Sequence, residues 1–112
     1  IHACHCSECQ KRSGSAFGLT MVVNRKNFTI TGQVSTYVRA TDSGQTNTSY
    51  FCPSCGNPIY GEVERLPDIV AIRPGTLDDT SWFKLERHIW TDSAQSWFEF
   101  PEGCEALPKS RW

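Results

Sequence analysis

Five of the six cysteines in this chain fall in two tight clusters, and no other feature restricts its fold as strongly. Cys4-His5-Cys6-Ser7-Glu8-Cys9 places three thiols within six residues, and Cys52-Pro53-Ser54-Cys55-Gly56 adds a pair. Cys-X-Cys and Cys-X-X-Cys spacings let sulfurs converge on one soft metal ion with no long loop to close. Zinc is the default occupant, because thiolates at about 2.3 Å suit its tetrahedral shell. A disulfide framework fits less well, since a bridge inside Cys-X-Cys is strained. Cys104 stands apart from both clusters and reads as a free or half-buried thiol.

The 112 residues suffice for one domain with one modest core, so residues 1–112 are read as a single unit. A net charge of −1, with charges interspersed, lacks the basic footprint of generic nucleic-acid binding. No apolar run approaches the roughly 20 residues of a membrane-spanning helix, and Ile1-His2-Ala3-Cys4 lacks the apolar region of a signal peptide. Reduced, metal-ready thiols point to the cytoplasm.

The periodicity is that of short strands. Ser7 is positioned to cap one helical turn through Glu8, Gln10 and Lys11, which aims Cys6 and Cys9 the same way, and Gly14 ends it. Strands are predicted over Phe17–Val23 (with Leu19, Met21 and Val23 on one face), Phe28–Thr31, Val34–Arg39, Thr48–Phe51, Pro58–Glu64, Ile69–Arg73 and His88–Thr91, with Trp97–Phe100 packing at an edge. Ile69–Arg73 is the most apolar of these and is expected at the centre. Turns are expected at 24–27, 40–47 and 77–80, and the tail from Pro101 to Trp112 holds three turn signals. The fold class is therefore mainly β.

Forty-two residues, 10–51, separate Cys9 from Cys52, far more than a simple zinc ribbon allows. Two arrangements stay open. One zinc could take four of the five thiols in a closed, structural site. Alternatively Cys4, Cys6 and Cys9 bind one zinc with an open fourth position, the mark of a catalytic zinc, and Cys52 and Cys55 bind another with partners this chain does not obviously supply.

At this level the residues resemble the glutathione-dependent formaldehyde-activating enzyme and centromere protein V family. The resemblance rests on Cys4-His5-Cys6-Ser7-Glu8-Cys9-Gln10-Lys11-Arg12-Ser13-Gly14-Ser15-Ala16-Phe17, Phe51-Cys52-Pro53-Ser54-Cys55-Gly56-Asn57-Pro58, Pro74-Gly75-Thr76-Leu77-Asp78-Asp79 and the segment from His88 to Trp97. These run in the family's order from Ile1 to about Pro108. The resemblance implies a mainly β, Mss4-like zinc-binding fold of short antiparallel strands. It implies two zinc sites, with Cys4, Cys6 and Cys9 as ligands of the catalytic type and Cys52 and Cys55 as half of a structural site. The other half in the family is an N-terminal Cys-X-Cys strand. No such segment is present here, so the expectation is a domain truncated on that side with an incomplete second site.

The family reaction joins formaldehyde to glutathione as S-hydroxymethylglutathione, which is carbon–sulfur lyase chemistry in reverse. Three thiolates bring a zinc site to a net −1, which suits exchange of one soft sulfur for another better than activation of water. The partner so implied is glutathione or another small thiol. The alternative is a non-catalytic zinc scaffold or partner-binding module. Candidate anion contacts are Lys11, Arg12, Arg73 and the Ser13-Gly14-Ser15 amides, although solvated charge is the simpler role for each basic residue. His2 and His5 flank thiols that are better ligands. His88 reads as a packed histidine rather than a general base, and Trp82, Trp90 and Trp97 as core or edge aromatics that could wall a pocket.

Overall fold

A computed structural model describes residues 1–41 and 43–109; position 42 of the expected 40–47 turn and residues 110–112 of the expected tail lie outside the described residues. In chain order the elements are β1 (His2–Cys4), α1 (Ser7–Ser13), β2 (Gly18–Asn24), β3 (Ser35–Ala40), β4 (Thr46–Phe51), β5 (Pro58–Val63), β6 (Ile69–Ile72), β7 (Arg87–Ile89) and β8 (Glu105–Ala106). The fold is mainly β with chiefly antiparallel pairing, in keeping with the Mss4-like expectation. No helix among the described residues is long and apolar enough to cross a membrane. The chain forms two compact units, one from Ile1–Thr20 with the segment from Leu77 onward, the other from Met21–Thr76.

The second unit is a fully antiparallel ladder in the order β3-β4-β5-β6-β2. β6 lies between two neighbours, as its apolar run predicts, and Val70 on it is completely buried. Tyr50 and Tyr60 face each other across β4 and β5 and stack at 4.3 Å, with Phe28 4.8 Å from Tyr60. The Tyr50 hydroxyl donates to Glu62, which also holds Arg25 in an ion pair. Phe28–Thr31 is not a strand. The Phe28 amide closes a 3-10 turn onto the Arg25 carbonyl instead of joining a ladder, and its ring is spent on Tyr60.

The first unit is the ladder β2-β1-β7-β8. β1 is antiparallel to β2, but β1–β7 and β7–β8 are parallel, a pairing mode outside the sequence expectation. Its core holds Ala3, Cys4, His5, His88 and Ile89. The strand predicted over His88–Thr91 begins at Arg87 and stops at Ile89, because Trp90 takes a left-handed conformation (φ 57°) and Thr91–Ser93 coil into a 3-10 turn. Trp97–Phe100 is irregular.

β2 contributes to both ladders: Gly18–Thr20 pair with β1, and Met21–Asn24 pair with β6. Its covered positions change parity between the two. Gly18 and Thr20 are buried in the first unit, whereas Met21 and Val23 are the better covered positions in the second. Leu19 is thus exposed, contrary to the single face expected for Leu19, Met21 and Val23. A uniform alternation presumes one buried face along the whole strand, and this strand serves two cores.

Candidate metal centre

Cys4, Cys6 and Cys9 converge through three different local structures. Cys4 ends β1, where its neighbours are Gly18 on β2 and Ile89 on β7. Cys6 leaves the strand with extended backbone (φ −64°, ψ 155°) and is the N-cap of α1, a role expected of Ser7; its Sγ accepts the Cys9 amide at 3.4 Å. Cys9 lies in the first helical turn, where side chains lean back toward the helix N-terminus and so toward Cys6. Gly14 closes the helix at φ 62°, as predicted. The three sulfurs all lie within 4.8 Å of one another. Gly18 passes so close that a Cβ there would sit 3.4 Å from Cys9 Cβ and 3.9 Å from its Sγ, so β2 crosses the cluster only as glycine or a very small residue.

Three thiols this close, one buried and two half-buried, cannot all ionise unaided. Hydrogen bonds from the Cys4 thiol, then from the Cys9 thiol, pull Cys6 down to about 2, helped by the amides of Cys9 and Glu8. Cys4 is pushed far up, because its proton is held by Cys6 and Cys9 and because it is buried. The Cys4 contact lowers Cys9, but its hydrogen bond to Cys6, burial and the Cys6 charge outweigh that and raise it. Without a cation the cluster concentrates one thiolate at Cys6. A soft dication would let all three sulfurs ionise, so the donor set fits a thiolate-bound metal. Arg12 adds positive charge, its Nη2 lying 3.9 Å from Cys9 Sγ.

The histidine between Cys4 and Cys6 turns away from the sulfurs. His5 Nε2 and His88 Nδ1 lie 2.8 Å apart, and both residues are completely buried. Phe17, Phe98 and Phe100 surround them with ring centroids 5.0–5.3 Å from His5. Burial, and for His5 also the neighbouring His88, holds both imidazoles below their ordinary pKa. His88 is a packed histidine, as expected, and it is the partner that occupies His5.

The His5 carbonyl accepts from Gln10 Nε2 at 2.7 Å, and the same amide donates to the Ser93 carbonyl at 2.9 Å. Gln10 Oε1 accepts from Gln95 Nε2 at 3.2 Å, and Gln95 Oε1 accepts the Trp97 indole N–H at 2.5 Å. Sequence reasoning passed over Gln10, Gln95, Gly18 and the phenylalanine box. None carries a spacing signal: His88, Ser93 and Gln95 lie more than eighty positions from the His5 and Gln10 they bond, and Gly18 meets Cys9 through packing that no motif encodes.

Cys52 and Cys55 belong to the second unit. The knuckle forms as predicted: Gly56 has φ 78° and donates to the Cys52 carbonyl at 2.8 Å, and the Cys52 amide donates to Asn57 at 2.9 Å. The amides of Cys55 and Ser54 point at Cys52 and lower its thiol pKa. Among the described residues, the group of three or more metal-competent side chains is Cys4, Cys6 and Cys9. Cys104 is a half-buried free thiol, its Sγ donating to the Leu85 carbonyl at 3.8 Å. Lys11 is exposed, whereas Arg73 is half-buried in the second unit. Trp82 and Trp97 are exposed, and Trp90 is half-buried with Lys109 Nζ 5.1 Å from its ring.

A family model described as "Glutathione-dependent formaldehyde-activating enzyme" matches residues 1–93. Proteins of Penicillium rubens (38% identical over 64 residues) and of Aspergillus flavus and Aspergillus oryzae (each 30% over 63 residues) are named provisionally for the same enzyme. The aligned stretches take in 56–57% of this chain and 32–33% of each relative. The chain thus spans about a third of the length of the curated relatives it matches.

Proposed function

Because the chain belongs to the glutathione-dependent formaldehyde-activating enzyme family, we propose that it is a zinc-dependent carbon–sulfur lyase-type enzyme that makes or cleaves a thiol adduct of formaldehyde. Glutathione is the thiol that the family description favours. The observation that carries the reading is the convergence of three cysteine sulfurs within 4.8 Å at the end of β1 and the start of α1. Cys4, Cys6 and Cys9 would hold the zinc, and Cys52 and Cys55 would contribute half of a second, structural site. When bound, the zinc supplies a soft Lewis-acid position at which a thiol sulfur is held as thiolate at neutral pH.

The reaction forms one S–C bond, opens the formaldehyde C=O π bond, and transfers the thiol proton to the new hydroxyl. The chain's own residues prepare the place for it. Gly18 presents no side chain to Cys9, whose Sγ a Cβ there would meet at 3.9 Å. Arg12 sets a guanidinium beside Cys9, where it can pair with a substrate carboxylate. His5 and His88 are sealed among phenylalanines, so they hold β1 in place rather than exchange protons with substrate. Thiol chemistry of this kind suits a reducing compartment, and we place the protein in the cytoplasm, with residues 1–112 as one domain of this family.

The test is nuclear magnetic resonance exchange spectroscopy of formaldehyde and glutathione with the zinc-loaded protein, alongside cobalt-substituted spectra on adding glutathione. Acceleration of adduct exchange that disappears in Cys6→Ser, with a cobalt spectrum altered by glutathione, is the expected result. A tightly bound metal whose spectrum ignores glutathione, with no acceleration, would establish the zinc-scaffold alternative.

A further inference from the structure

We infer that Gln10 and Gln95 are positioning residues for the cysteine cluster, acting through the His5 carbonyl. This extends the metal-centre reading, since it concerns what fixes the geometry of the same three sulfurs.

His5 is the middle residue of Cys4-His5-Cys6, so its two flanking peptide planes set where the Cys4 and Cys6 side chains leave the backbone. Three of its polar groups are anchored, and only ring Nδ1 has no partner among the described residues. The amide donates to the Ile89 carbonyl at 3.0 Å, the imidazole bonds His88 at 2.8 Å, and the carbonyl accepts from Gln10 at 2.7 Å. The first anchor belongs to the strand ladder and the second to the buried box. The third depends wholly on the carboxamide of Gln10.

Gln10 is the next residue after Cys9, on the same helix. Both hydrogens of its NH2 group are committed, one to His5 and one to Ser93 in the turn at Thr91–Ser93. One side chain thus joins the helix carrying Cys9, the peptide leading into Cys6, and the turn that follows β7. Gln95 fixes which way this carboxamide faces. Its Nε2 donates to Gln10 Oε1, and its own Oε1 is claimed by the Trp97 indole, which can only donate. The chain of bonds has one polarity: Trp97 to Gln95 to Gln10 to the two backbone carbonyls. A flipped Gln10 would set its oxygen against two carbonyl oxygens and its NH2 against the Gln95 donor, so the alternative is disfavoured at every contact. Supporting bonds of this kind outside the ligand set commonly tune metal affinity 10–100-fold.

The test compares wild type with Gln10→Met and Gln95→Met, which keep side-chain length and remove the bonds. Two measurements are made. In the metal-free, reduced protein, amide hydrogen exchange is followed at His5, with Val70 in the second unit as reference. In the metal-loaded protein, zinc affinity is measured by competition with a chromophoric chelator, in a Cys52→Ser/Cys55→Ser background so that only the first cluster is read. We expect Gln10→Met to speed exchange at His5 at least tenfold with Val70 unchanged, and to weaken zinc binding by about 10–100-fold, with a smaller loss of both in Gln95→Met. Unchanged His5 exchange and unchanged affinity in both variants would overturn the positioning role. If wild type holds no zinc at this cluster, the functional reading falls, and the His5 exchange rates still decide the role of the two glutamines. If Gln10→Met fails to fold, Gln95→Met decides in the same way: a wild-type exchange rate at His5 overturns the inference.

Discussion

The buried histidine pair yields a prediction whose sign can be worked out in advance. Two neutral imidazoles carry two N–H groups, and the His5–His88 bond uses one. The other, on His5 Nδ1 or His88 Nε2, has no hydrogen-bond partner among the described residues. Replacing His88 with Leu fills the space but leaves both ring nitrogens of a completely buried His5 unbonded, at a cost of about 1–3 kcal/mol. His5→Leu does the same to His88. The double replacement removes every orphaned nitrogen from the phenylalanine box and is expected to be within about 1 kcal/mol of wild type. The two single losses therefore exceed the double loss, with a coupling of at least about 1 kcal/mol. Urea unfolding of the metal-free, reduced protein at neutral pH measures all four corners of the cycle.

The same proteins predict a pH dependence. Both imidazoles titrate below their ordinary 6.5 in the folded state. Below that pH the unfolded chain binds more protons than the folded one, so stability falls as the pH drops. Above it, the depressed values have no effect. Wild type should lose stability between pH 6.5 and the folded pKa values, and the double Leu variant should lose less over that range. Additive single losses, or identical acid limbs for wild type and double variant, would refute the reasoning.

In the second unit, the Tyr50 hydroxyl is raised to about 12, first by its hydrogen bond to the Glu62 carboxylate and then by burial. An ultraviolet titration should show a tyrosine ionising in that range that disappears in Tyr50→Phe; the absence of such a step in wild type would count against the contact. Gly18→Ala should fold and retain the cluster, since the added carbon meets Cys9 at 3.4 Å, whereas Gly18→Val should drive its branched carbons into Cys9 and weaken metal binding in a chelator competition. Gly14→Ala should destabilise the protein by about 1 kcal/mol in urea unfolding, because position 14 holds φ 62° with open space around it; Gly14→Asn, which tolerates that conformation better, should cost less.

Features set by a few neighbouring residues were legible in the sequence. The Cys4, Cys6 and Cys9 spacing foretold converging sulfurs, Gly14 and Gly56 marked backbone reversals, and the Ile69–Ile72 run marked a strand paired on both sides. The N-cap went to Cys6 rather than Ser7 because a thiol already gathered into the cluster lies close enough to accept the helix amide. What could not be read depends on pairings between distant positions. His5 looked like a spare ligand until His88, eighty-three residues later, claimed its ring. Gln10 carried no signal beyond its place in the helical turn, since Ser93 and Gln95 lie equally far off. The change of covered face along β2 follows from one strand serving two cores, which a search for uniform alternation misses.

The parallel pairing of β1 with β7 also governs when the cysteine site can exist during biosynthesis. All three sulfurs belong to positions 4–9, but the strand that pairs with β1, and the histidine and phenylalanines that pack on His5 between the first two thiols, span positions 87–100. A ribosome releases the thiols long before β7 can pair with β1, and closing so long a loop is among the slower steps of folding. Through that interval the cysteines are open to oxidation or to capture of the wrong metal. Yield of protein with three reduced, converged thiols should accordingly follow the redox and metal conditions of synthesis more closely than those of later storage.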